Sequence, residues 1–262
     1  MREFAIWLFS DDKPLNIDVF SFFHIFYTGT IIILTILLGL YLSKKDEKTQ
    51  NRALSIIAFA TAFLYISDFF VQPLMHGDAS VAGEMNIDKL PFHICTLLCP
   101  VLNFVQFNKC FEKFVNIIRE PVAVLAIVGP IMYLTYPNGA VGDISPICYK
   151  ILQAFIYHGL VFSWGFNMIA TKKVVPSIKR SWHALIGLIV VALWASLGNA
   201  LYINPEEHFD WFFLTGSSFP FVPEKLMPIA VVGAIFCVAL MVYGIYYAVM
   251  AIKKKAAEKN AA

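Results

Sequence analysis

Charge is what this sequence has least of: 15% of its 262 residues are Asp, Glu, Lys or Arg, against 59% that are hydrophobic. A soluble domain could not cover its surface with so few charges, and a mean hydropathy of +0.69 points the same way. Five cysteines, most of them within or close to apolar stretches, exclude a disulfide framework. No cleavable signal peptide is expected, since the only apolar run before Asp11, Phe4 to Phe9, is shorter than a signal core and is flanked by acidic residues. Basic residues form no extended patch; they come in short clusters at the ends of apolar runs, which excludes nucleic acid as a partner.

What the chain has in quantity is apolar runs of membrane-crossing length. A span needs roughly 20 apolar residues, and seven candidates lie near residues 20–42, 53–74, 91–107, 116–136, 149–170, 183–202 and 228–250. They leave no room for a soluble domain. The expected fold is therefore all-α, a polytopic transmembrane helix bundle of about seven spans forming one domain over residues 1–262.

Fifteen of the 20 Lys and Arg residues fall on one side of the implied membrane, in clusters around Lys44 to Arg52, Lys109 to Arg119, Lys172 to Arg180 and Lys253 to Lys259. The other side has five, Arg2, Lys13, Lys89, Lys150 and Lys225. The positive-inside rule then puts the C-terminus in the cytoplasm and the N-terminus outside the cell membrane. Span three opens with Asp88-Lys89-Leu90-Pro91 and span seven with Glu224-Lys225-Leu226-Met227-Pro228, a short match that suits a three-plus-one-plus-three parallel repeat.

Polar groups inside spans are costly and point to function. The densest stretch is Leu90-Pro-Phe-His-Ile-Cys-Thr-Leu-Leu-Cys-Pro100. On a helix, Cys95, Cys99, Asn103 and Gln106 fall at about 0, 40, 80 and 20 degrees, one polar stripe, with His93 about 160 degrees away. A base for Cys95 must then come from another helix. Pro91 suits the first helical position, and Pro100 frees the Thr96 carbonyl. His158 of span five lies about 15 Å past Cys148, near the midplane of a core about 30 Å thick. Asp68, about 9 Å inside the end of span two, reads either as an interhelical staple or as a proton carrier or orienter of a histidine. Asn199 and Tyr202 end span six.

Other positions have plainer readings. His24 is expected at the interface bonded to water, Cys237 as a small buried thiol, and Arg119 and Glu120 as solvated end charges of an interfacial stretch before Pro121 opens span four. Gly129-Pro130 is expected to kink or break that span. The aromatic loop from His208 to Pro223 suits the headgroup belt or the cap of a cavity.

Asp68, His93, Cys95, His158, Asn199 and Tyr202 all fall from the midplane outward, so the spans share a pocket there. A thiol in apolar surroundings stays neutral unless an imidazole takes its proton. The alternative is a small-solute transporter or channel with a polar cavity. A metal site of Cys95, Cys99 and His158 lacks an obvious fourth ligand, and a purely structural scaffold is the plainest reading. No metal and no cofactor is expected.

Leu90-Pro-Phe-His-Ile-Cys95, Tyr157-His158-Gly159 and Gly198-Asn199 with Tyr202 resemble the bacterial YwaF-type integral membrane proteins over most of the chain. That family is similar to an animal multipass protein acting as a cysteine-dependent phospholipid acyltransferase, and more distantly to androgen-inducible hydrolases of fatty acid esters, which use a Thr and a His. The resemblance implies Cys95 as acyl-accepting nucleophile, His158 as its base, and membrane lipids, a phospholipid or fatty acyl ester, as substrate.

Overall fold

The structure is a computed structural model that describes residues 16–75, 90–137, 145–201, 210–214 and 221–261. Among the described residues seven α-helices follow one another: α1 (Phe22–Leu42), α2 (Glu47–Met75), α3 (Ile94–Phe107), α4 (Glu112–Thr135), α5 (Tyr149–Ala170), α6 (Trp182–Leu201) and α7 (Met227–Ala261). Each corresponds to one apolar run of the sequence, in order. Five of them are long and apolar enough to cross a membrane; α3 has 14 residues, and α5 is long but more polar. The expected aromatic loop and Tyr202 lie largely outside the described residues, which in that region are 210–214 and 221–223.

The distribution of apolar residues is that of a bundle in lipid. Leu34 and Leu37 on α1, Phe59 and Phe63 on α2, Leu193 and Leu201 on α6, and Ile229 and Ile245 on α7 are all more than half exposed. In water such a belt would be a large apolar patch; against acyl chains it is the natural outer face.

The middle of α4 is the core. Every residue from Glu120 to Pro130 is buried, as α3, α5, α6 and α7 all pack on it. On the far side of α5 stand α1 and α2. Small residues set the spacing between α4 and α5: a side chain at Gly165 would stand 2.6 Å from the Ala123 carbonyl oxygen.

Five expectations are corrected here. Pro91 is not the first helical residue, because Leu90 to His93 form a turn in which the Leu90 carbonyl accepts Phe92 N–H at 2.7 Å and α3 begins at Ile94. The interfacial stretch before Pro121 is instead continuous with span four, one helix that runs through both Pro121 and Pro130. Its Glu120 is buried, not solvated: it pairs with Arg180 at 2.7 Å and accepts Ser177 N–H at 2.7 Å. His24 is buried as well; its Nδ1 accepts Phe20 N–H at 2.8 Å, so Nε2 carries the proton and donates to the Leu134 carbonyl at 2.8 Å. That carbonyl belongs to the last turn of α4, where no intrahelical donor remains. Cys237, finally, is exposed on α7, because no helix among the described residues packs over its face.

Candidate functional site

The Leu90 to Cys95 segment is held from three directions. Thr96 Oγ1 accepts His93 N–H at 3.2 Å and lies within 3.1 Å of the Leu90 carbonyl, tying the turn to the first turn of α3. The Pro91 carbonyl accepts the indole N–H of Trp194 at 2.8 Å. Phe92 stacks on Trp194 and packs on Trp211, with its ring over Gly198, where an added Cβ would stand 2.6 Å from it. Gly198 therefore serves α6 by being absent of side chain where Phe92 enters.

His93 and Asn199, two of the residues expected to support a pocket, both grip the segment Trp211 to Phe213. Asn199 pairs with the Trp211 backbone as a peptide would, Oδ1 accepting its N–H at 2.9 Å and Nδ2 donating to its carbonyl at 3.2 Å. His93 Nδ1 accepts Phe212 N–H at 3.1 Å. Phe212 and Phe213 have φ of 64° and 57°, a left-handed backbone that bulky residues rarely adopt. Two side-chain clamps on consecutive residues hold that conformation.

Cys95, in the first turn of α3, faces α4 and α5. A side chain at Gly129 would stand 3.3 Å from the Cys95 sulfur, so the thiol occupies the space that this glycine leaves on α4. Tyr157 of α5 donates its hydroxyl to the Cys95 carbonyl at 2.8 Å and also lies within hydrogen-bonding reach of the Cys99 side chain. Tyr65 of α2 stacks on Tyr157 with ring centroids 6.2 Å apart. Cys99 itself is buried.

His158, on the next position of α5, points the other way round that helix, towards Tyr133. The two rings are nearly parallel, 6° apart, with centroids at 3.6 Å. Its Nδ1 lies 2.7 Å from the Ala154 carbonyl, which only accepts, so Nδ1 carries the proton and Nε2 is the basic nitrogen. Tyr133 is four residues beyond Gly129, on the same face of α4. The thiol and the imidazole thus flank one face of α4 at contact points about 6 Å apart along its axis.

Asp68 is placed elsewhere. It is buried on α2 beside Tyr149, whose hydroxyl is 3.2 Å from Ser67 Oγ. Nine residues, about 14 Å along α5, separate Tyr149 from His158. Tyr202 is outside the described residues. Cys95, Cys99 and His158 do not gather as a metal-binding group, and no cluster of three such ligands exists among the described residues.

The sequence reading missed Tyr133, Gly129 and Tyr65. Gly129 and Tyr133 stand one turn apart in an apolar span interrupted by Pro130, and that i, i+4 spacing was the available signal. Tyr157 stands beside His158 in the sequence, but nothing in one helix shows that its hydroxyl reaches α3.

No curated protein and no solved structure matches the chain significantly. The sequence profile of a multipass membrane protein family does match, from residue 19 to residue 251, across all seven helices, and the chain belongs to the TMEM164 family.

Proposed function

We propose that this protein is an intramembrane acyl-transfer enzyme, with Cys95 as nucleophile and His158 as its base. The observation that carries the reading is the shared face of α4: Cys95 sits on Gly129, His158 stacks on Tyr133, and one helical turn separates them. The tautomer fits the role, since the Ala154 carbonyl keeps the proton on Nδ1 and leaves Nε2 to accept one.

In the reaction, His158 takes the Cys95 proton and the sulfur attacks the ester carbonyl of a fatty acyl lipid. The carbon–oxygen bond breaks, and the leaving alkoxide takes the proton back. An acceptor hydroxyl, or water, then gives its proton to Nε2 and its oxygen bonds the acyl carbon, the carbon–sulfur bond breaks, and the thiolate recovers the proton from His158. Position in the first turn of α3 supports this, because N–H groups there have no intrahelical partner and favour negative charge on the sulfur and on the carbonyl oxygen. Resemblance to the YwaF-type proteins, through Leu90 to Cys95 and Tyr157 to Gly159, supports the same pair. Phospholipid or fatty acyl ester is the substrate class, and the orientation is N-terminus outside, C-terminus cytoplasmic, in the cell membrane.

Intact-protein mass spectrometry of the full chain purified from membranes tests the reading. A fatty acyl adduct released by hydroxylamine is expected, absent in Cys95→Ser and retained in Cys99→Ala. An adduct that persists in Cys95→Ser refutes the assignment. Solute uptake in proteoliposomes with no adduct at all makes the polar interior a transport path instead.

A further inference from the structure

At the other end of the bundle from Cys95 lies a cavity of about 390 Å³ lined by Arg119, Lys173, Gln106, Asn51 and Glu47, with an apolar wall. The volume is that of a small-ligand pocket. We propose that it is a binding site for a phosphodiester anion, supplied by the headgroup of an anionic phospholipid.

Charge supports the assignment. Arg119 and Lys173 bring two positive charges and Glu47 one negative, so the site is left with a single positive charge to match the single negative charge of a phosphodiester. Lys173 is 3.5 Å from Glu47, whose side chain is 82% exposed and mostly solvated. Arg119 has no acidic partner among the described residues, and it is only partly exposed. A guanidinium half out of water without a carboxylate is the group that takes a phosphate through two parallel N–H bonds.

The donors around it are prearranged. Gln106 Oε1 accepts the Trp164 indole N–H at 3.1 Å and its Nε2 donates to Ser55 at 3.1 Å, which fixes the amide and leaves its second N–H for a ligand. Position in the membrane favours a lipid. Glu47 is the first residue of α2, Gln106 the penultimate of α3, and Lys173 follows the end of α5, so the cavity lies at the level where helices end and headgroups begin. The basic clusters of the sequence gather at this same end. Gln106 is eleven residues from Cys95, about 16 Å along α3, which makes the site independent of the acyl-transfer reading.

Native mass spectrometry of the full chain released from nanodiscs of equal phosphatidylglycerol and phosphatidylcholine tests it. Retained phosphatidylglycerol is expected to exceed phosphatidylcholine, whose choline brings a second positive charge, and Arg119→Gln is expected to lower that retention at least tenfold. Asn51→Asp, on the exposed rim, adds a competing carboxylate without disturbing a buried contact and is expected to act in the same direction, which keeps the test open if Arg119→Gln does not fold. Displacement by millimolar glycerophosphoglycerol, the same headgroup without chains, shows that the site also takes a soluble phosphodiester; resistance to it assigns the lipid alone. Equal retention of the two lipids, unchanged by Arg119→Gln or by Asn51→Asp, overturns the proposal.

Discussion

His158 and Cys95 meet α4 through different residues, and that difference separates a reacting pair from two packed side chains. Removing the proposed base in His158→Ala is expected to slow acyl-adduct formation by about 100-fold or more while leaving Cys95 in place. Tyr133→Phe keeps the stacked ring and is expected to retain most of the rate; Tyr133→Ala leaves the imidazole without its platform and is expected to lose it. A single-turnover assay of adduct formation measures all three. If His158→Ala reacts at the wild-type rate, the proton acceptor is another group. Asp68 is expected to matter less to the rate than His158, because its partner is the first turn of α5.

At the scale of elements, the bundle rests on close helix contacts that glycine permits. Gly165→Ala would drive a methyl group to 2.6 Å from the Ala123 carbonyl oxygen, a backbone atom that cannot swing aside. The expected loss is about 1–3 kcal/mol, the usual scale of overpacking. Gly233 on α7 has nothing within 4 Å of an added Cβ, so Gly233→Ala is expected to gain about 0.5–1 kcal/mol from helix propensity alone. Reversible unfolding in mixed micelles compares the two, and a Gly165→Ala protein as stable as Gly233→Ala would show that α4 and α5 can move apart freely.

The start of α2 gives a pH-dependent term. The Thr49 hydroxyl and then its N–H, which donates at 3.0 Å, hold the Asp46 carboxyl below the usual carboxylate range. Its folded value is thus lower than its unfolded one, so the cap contributes fully above the ordinary carboxylate range and is lost as pH falls through the depressed value. Asp46→Ala should therefore be less stable than wild type at neutral pH and converge with it in acid, whereas Asp46→Asn, which can still cap, should differ little at either pH. A constant gap between wild type and Asp46→Ala across that range would mean that the carboxylate is not the capping group.

The existence and order of the elements were legible in the sequence, because apolar runs and charge clusters mark where helices enter and leave a membrane. Their ends were less so. Pro91 looked like a helix start because proline suits that position, but a tertiary bond from Trp194 to its carbonyl holds it in a turn. Glu120 looked solvated because it sits beside a basic cluster, yet its partners, Arg180 and Ser177, come 57 or more residues later. Of the candidate site, Cys95 and His158 stand out in the sequence as costly groups in lipid, while Tyr133 and Gly129 are ordinary in composition and gain meaning only from the face they share. His93 and Asn199 stood out equally and turn out to clamp a backbone segment.

At the scale of the whole molecule the cysteines divide by environment in a way that reports orientation. Cys110, between α3 and α4, is exposed at the end of the bundle where the Lys and Arg clusters gather. Cys99 and Cys148 are buried within the protein, the latter with no exposed surface, and Cys95 is half-buried with its sulfur against Gly129 of α4. Cys237 is exposed, but ten residues into α7, about 15 Å from its start, and so faces acyl chains where a water-soluble reagent does not reach. A membrane-impermeant maleimide is therefore expected to label nothing in intact cells and one thiol after the cells are opened, with Cys110→Ser abolishing that label. In the proposed orientation the basic end is cytoplasmic, and the cavity proposed for a phosphodiester lies at that end while Cys95 lies towards the other. Labelling of Cys110 in intact cells would invert the proposed orientation: the cavity would then face the outer leaflet, the proposed Cys95 site the inner one, and the acyl donor of the proposed reaction would have to be a lipid of the cytoplasmic side.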